Sequence, residues 1–182
     1  ISDDNATWID WEPAAFSRAW TLPTGDGVKT VYVEFRDAAG NATTDEISAT
    51  ILLDEDEPFG SVEINGGAPA TQDPDVTLDL MSFDGDGSGV VDMQFSDDNA
   101  TWSGWEPAAG TKAWTLPAGD GVKAVYAQFR DAVGRVSTVE IADWITLDEN
   151  NPTGTVVIDG GAALAASPAV TLGLTWDDGT GS

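Results

Sequence analysis

The chain has 182 residues, 32 of them acidic and 7 basic, for a formal charge of −25, and it contains neither Cys nor His. These numbers exclude a disulfide framework, a thiolate zinc site and any Ser–His or Cys–His catalytic pair, and the charge repels nucleic acid and anionic membrane surfaces. A hydrophobic share of 41% with eight Trp is enough for packed cores, and no apolar run approaches the roughly 18 residues of a membrane span.

From the N-terminus, the string SDDNATW at Ser2–Trp8 returns at Ser96–Trp102, an offset of 94. The same offset carries WEPAA (Trp11–Ala15) onto Trp105–Ala109, AWTLP (Ala19–Pro23) onto Ala113–Pro117, GDGVK (Gly25–Lys29) onto Gly119–Lys123 and FRDA (Phe35–Ala38) onto Phe129–Ala132. Further along, Pro58 falls on Pro152, Gly66–Ala68 on Gly160–Ala162 and Val76–Leu78 on Val170–Leu172. More than half of the aligned pairs are identical and no gap is needed, the mark of a repeat architecture. The phase predicts three parts: 1–58 as the back of one unit, 59–151 as a whole unit, and 152–182 as the front of another. With no Met or charged leader at Ile1, a processed or cropped piece is expected. Two readings stay open: a window cut from a longer tandem array, or a subunit whose front strands complete the back strands of the next copy.

Within the whole unit, Gly and Pro punctuate short alternating runs, the all-β pattern. Strands are predicted at Val62–Asn65, Asp75–Ser82, Val90–Ser96, Lys112–Leu116 and Lys123–Arg130, with a long sixth over Arg135–Leu147 that splits. In DVTLDLMS, Val76, Leu78 and Leu80 share one face. Ala118–Gly121 and Gly134 supply turn residues that tolerate positive φ. About seven short strands in a unit of this length suit an all-β sandwich.

The combination GSVEINGGA, VTLDL, DGDGSGV, FSDDNATWSGWEP and FRDA resembles the tandem Ig-like repeats of large secreted or surface-attached bacterial and archaeal proteins. VYVEFRDAAGNAT at Val31–Thr43 is similar to a hairpin of fibronectin type III modules. The resemblance implies tandem Ig-like, fibronectin-like β-sandwiches of about 94 residues with partial units at both ends, and spacer, stalk or appendage roles. The second copy departs from the hairpin pattern, with Val133 and Arg135 in place of Ala39 and Asn41.

Acidic clusters point to a hard cation, because calcium takes several oxygen ligands from loops. The first cluster is LDEDEP at Leu53–Pro58, repeated as LDENNP at Leu147–Pro152; the second is DGDGSG at Asp84–Gly89, echoed at Asp177–Ser182; the third is SDDNATW. The candidate ligands are Asp54, Asp56, Glu57, Asp84, Asp86, Asp148 and Asn150, with Ca2+ as the expected ion. The competing reading is solvated turn residues, where Asp, Asn and Gly belong. Arg36–Asp37 and Arg130–Asp131 read as local charge pairs at a strand end. Paired acids can hydrolyse glycosides, but a turn-located, periodically repeated set argues against an enzyme.

Trp8, Trp11 and Trp20 repeat as Trp102, Trp105 and Trp114. Core packing is the expected role. A sugar- or partner-binding platform at Trp8, Trp11, Trp102 and Trp105 is the alternative. Trp144 and Trp176 have no counterpart in the repeat and belong to no repeated site. Asn5, Asn41 and Asn99 head N-x-T sequons and are candidate glycosylation sites. Together these features predict a structural segment of an extracellular or cell-surface filament, stalk or giant adhesin. Its partners are copies of itself or adjacent repeats, joined head to tail, with Pro152–Ser182 of one copy packing on Ile1–Asp54 of the next.

Overall fold

Alternation of apolar and polar side chains between Phe59 and Leu147 produces two facing sheets with one core between them. The structure is a computed structural model and describes residues 1–179. In chain order, β1 (Gly27–Val33) and β2 (Ile47–Leu53) pair with each other. Then β3 (Phe59–Ile64), β4 (Ala70–Thr71), β5 (Asp75–Phe83), β6 (Val90–Ser96), β7 (Glu106–Pro107), β8 (Thr111–Thr115), β9 (Gly121–Asp131) and β10 (Ile141–Leu147) form the sandwich. Last, β11 (Thr153–Ile158) pairs with β12 (Leu172–Asp177), separated by one 3-10 turn at Asp159–Gly161. The all-β class and Ig-like sandwich therefore stand. No helix among the described residues is long and apolar enough to cross a membrane.

One sheet of the sandwich has the order β3-β5-β8 and the other β4-β10-β9-β6-β7. The pairs are antiparallel apart from β4 with β10. Val62, Ile64, Val76, Leu78 and Leu80 project from the first sheet. They meet Met93, Phe95, Val125, Ala127, Phe129, Ile141, Ile145 and Leu147 from the second. Trp114 lies half-buried against this core, its ring 5.7 Å from that of Phe95, and its indole N–H donates to Asp97 at 2.9 Å. Gly60 is required by close approach: a Cβ there would stand 2.3 Å from the Met81 carbonyl oxygen and 2.6 Å from the Phe129 ring. The expected sixth strand over Arg135–Leu147 is split, as its sequence suggested. A turn closes after Asp131, only Val136 bridges back to Arg130, and β10 starts at Ile141.

The flanking pairs copy parts of this sandwich. β1–β2 repeats the register of β9–β10, with Gly27 opposite Leu53 as Gly121 is opposite Leu147. β11–β12 repeats β3–β5, with Ile158 opposite Leu172 as Ile64 is opposite Leu78. What differs is cover. Phe35 is 51% exposed while its counterpart Phe129 is 0%; Ile51 is 58% against 1% for Ile145; Leu174 is 67% against 7% for Leu80. Side chains that make the core in the sandwich thus stand in solvent on both flanking pairs.

Candidate metal centre

Three loops meet at one end of the sandwich, and each delivers an aspartate. Asp54 follows β2 on the connection to β3, Asp84 follows β5, and Asp131 ends β9. Each offers one carboxylate oxygen, and the three oxygens lie within 4.8 Å of one another. Backbone amides fix each side chain by its other oxygen. Ser88 N–H donates to Asp54 Oδ2 at 2.8 Å, and Gly89 N–H donates to Asp84 Oδ2 at 2.6 Å. The N–H groups of Val133, Gly134 and Arg135 donate to Asp131 Oδ1 at 3.0, 2.8 and 2.9 Å. The remaining oxygens, Asp54 Oδ1, Asp84 Oδ1 and Asp131 Oδ2, are buried and accept no hydrogen bond. Asp54 and Asp131 are only 7% and 1% exposed. Gly87 keeps this space open: a Cβ there would stand 2.7 Å from Asp84 Oδ2 and 3.0 Å from Asp54 Oδ1.

Buried polar atoms are nearly always paired, so an unpaired buried oxygen on each of three clustered aspartates calls for a ligand. The electrostatics agree. Burial, followed by the charges of Asp54, Asp131 and Asp26, pushes the Asp84 carboxyl above the usual carboxylate range. The Ser88 hydroxyl, ahead of the opposing effect of burial, holds Asp54 below that range, and the Arg135 charge adds to this. Like charges at the 4.8 Å limit repel by roughly 3.5 kcal/mol per pair at an effective dielectric near 20. One guanidinium at the rim does not offset three such pairs. A triangle of that side has its centre about 2.8 Å from each corner, and smaller sides bring it into the ~2.3–2.6 Å range of calcium–oxygen bonds. Beside the triad runs an open cleft of about 480 Å3, lined by Asp26, Glu55, Asp56, Glu57, Phe59, Asp84, Gly85 and Arg135.

Of the residues expected as ligands, Asp54 and Asp84 are brought together here. Asp56 lines the cleft; Glu57 does too, but accepts a hydrogen bond from the Thr138 hydroxyl at 2.5 Å. Asp86 is exposed, outside the triad. Asp148 and Asn150 belong to the second junction, where Asn150 N–H donates to Asp148 Oδ1 at 3.1 Å and the Asn150 amide donates to Asp120 Oδ2. The echo of the second cluster, Asp177–Ser182, lies partly outside the described residues. Asp131 is the member that sequence reasoning missed. The expected Arg130–Asp131 pair does not form: Arg130 pairs across strands with Asp92 and stacks over Trp105 at 4.5 Å, which leaves Asp131 to turn inward. Alternation along β9 forces this, since neighbouring side chains face opposite ways. The signal that could have found it is the retention of Asp and of Gly three residues later in both copies, Asp37/Gly40 and Asp131/Gly134.

The third acidic cluster is self-satisfied. Asp98 Oδ1 accepts the N–H groups of Ala100 and Thr101 at 2.8 and 2.6 Å and the Ser96 hydroxyl at 2.9 Å. These bonds, Thr101 first, hold its carboxyl far below the usual range. Asp4 repeats the arrangement. The tryptophans divide. Trp8, Trp102 and Trp105 are half-buried, while Trp11 is exposed beneath Arg36 at 4.4 Å. Trp8 and Trp11 line a cleft of about 660 Å3 that also includes Phe35, so part of its wall is a core position of the sandwich. The sequon amides are engaged: Asn5 donates to Glu46 and Asn99 to Glu140, both at 3.1 Å, and Asn41 donates to Asp37 at 2.9 Å.

No protein-family model and no curated protein matches the chain. Among solved structures, it is similar to the PKD1 domain of Epp from Vibrio anguillarum, at 18% identity and a TM-score of 0.37, over 50% of this chain and 96% of that one.

Proposed function

We propose that the chain is a structural segment of an extracellular or cell-surface filament, stalk or adhesin, in which Ig-like units join head to tail and a divalent cation, best calcium, rigidifies the junction at Asp54, Asp84 and Asp131. The observation that carries the joining is the exposure of core-type residues on both flanking pairs, with the central sandwich as the template for what covers them. There, β3 packs on β9 and β10. By the same geometry the β11–β12 pair of one copy covers β1–β2 of the next. Exposed apolar faces of this kind mark association sites, and each unit then touches only its neighbours, so length grows by addition. The charge of −25 makes a divalent ion doubly useful, because it relieves self-repulsion as well as the triad.

The cation part is tested by thermal unfolding in calcium against EDTA at matched ionic strength. Calcium raises the Tm of the parent chain, and Asp131→Asn removes most of that rise. An unmoved Tm in millimolar calcium refutes it. The joining part is tested by sedimentation over a range of protein concentrations; a chain that stays monomeric at high concentration in calcium refutes it.

A further inference from the structure

We infer that the joint between successive copies of this chain carries a cation site of its own, split between their two ends, and that joining is therefore gated by the cation. The inference rests on the head-to-tail reading above. The offset of 94 carries Asp54 onto Asp148, Asp84 onto Asp178, and Asp37 onto Asp131. All three positions keep Asp. In the central sandwich the three meet, and two of them are more than nine-tenths buried with an unpartnered oxygen. In the flanking pairs they are divided: Asp148 and Asp178 stand at the β11–β12 end, and Asp37 stands beyond β1. Docking β11–β12 of one copy on β1–β2 of the next brings the three together again.

Each half already holds part of the assembled site's geometry, and Asp37 Oδ2, the counterpart of the free Asp131 oxygen, accepts the Asn41 amide at 2.9 Å until closure releases it. Asp37 Oδ1 accepts the N–H groups of Ala39 and Asn41 at 2.9 and 2.8 Å, the same cradle that fixes Asp131 Oδ1. Gly179 has a positive φ of 72°, as Gly85 does at 55°, so the loop carrying Asp178 leaves its strand like the loop carrying Asp84. One substitution alters the chemistry. Arg135, which lines the cleft beside the triad, is replaced in the other copy by Asn41. The split site therefore gathers three carboxylates with no guanidinium beside them, and the neighbouring Asn41 amide donates to Asp37 Oδ2 through a bond that a bound dication displaces. Repulsion opposes closure of the bare joint more strongly than it opposes the site within one chain. A dication reverses that sign.

The test is sedimentation velocity on the whole chain in calcium chloride and in EDTA with sodium chloride at equal ionic strength, with calorimetric titration of calcium alongside. Calcium tightens association at least about tenfold. Asp37→Asn and Asp178→Asn each abolish most of that gain, while titration still counts the ion held by Asp54, Asp84 and Asp131. Asp84→Asn does the opposite: it loses the ion within the chain and keeps calcium-linked association. Equal association in calcium and EDTA, or a full calcium gain in both Asp37→Asn and Asp178→Asn, overturns the split site and leaves head-to-tail joining intact. Absence of association in either buffer overturns both.

Discussion

Leu80 and Leu174 occupy the same position of the repeat, one covered and one bare, so a matched pair of alanine substitutions separates folding from joining. Leu80 is 7% exposed at the centre of the core and Leu174 is 67% exposed on β12. Leu80→Ala deletes buried methyl groups and leaves a cavity, a loss of about 2–5 kcal/mol of folding stability. Leu174→Ala removes nothing from the core of the isolated chain and leaves its Tm in dilute solution unchanged. If docking covers Leu174 as fully as Leu80, about six-tenths of its surface becomes buried on joining. At roughly 1.5–3 kcal/mol for full burial of such a side chain, that is about 1–2 kcal/mol, or a roughly five- to thirty-fold weaker association. Unfolding by circular dichroism and association by sedimentation provide the two readouts. A Leu174→Ala chain that unfolds as early as Leu80→Ala, or associates as tightly as the parent, refutes the assignment of β12 as a joining face.

Three further outcomes follow from local geometry. Gly60→Ala forces a Cβ to within 2.3 Å of the Met81 carbonyl oxygen; overpacking of this kind costs about 1–3 kcal/mol, and a Tm unchanged in a thermal melt contradicts the packing described. Asp98 is held below its unfolded value, near 3.9, by hydrogen bonds led by that from Thr101. Its contribution is therefore complete above pH ~4 and fades as pH falls through the depressed folded value. Asp98→Ala lowers the Tm at pH 7, and the gap from the parent narrows toward pH 2; a gap that widens on acidification contradicts the sign. Gly87→Ala crowds the free oxygen of Asp54, at 3.0 Å from the new Cβ, and weakens calcium binding in calorimetry; unchanged affinity places the ion elsewhere.

Elements with a clean period of two could be read directly. Asp75–Phe83 alternates exposed and buried along nearly its whole length, and the sequence expectation for it falls short by one residue. The two-residue strands β4 and β7 carry too few side chains to show a period, and they exist only because the neighbouring strands β10 and β6 offer them a register. The break before β10 is expected from the sequence within Arg135–Leu147, but its place is not, because the Asp131 turn that ends pairing early depends on backbone hydrogen bonds to its side chain. The candidate site was half visible. Asp54 and Asp84 sit in acidic, Gly-rich loops that advertise cation chemistry. Asp131 sits in FRDA, which reads as a strand end, and only the folding of β9 beside β6 and β10 brings it to them. Residues so far apart in sequence converge through topology, which composition does not encode.

The most direct measurement of head-to-tail joining uses the absence of native cysteine. One copy receives a single Cys and a donor dye at Thr155 on β11; another receives a single Cys and an acceptor at Ser48 on β2. Facing sheets pack about 10 Å apart, so the account predicts strong energy transfer between the mixed copies in calcium, and none between two copies both labelled at Ser48. Transfer no higher than for unmixed donor, or equal transfer in the Ser48–Ser48 mixture, contradicts it.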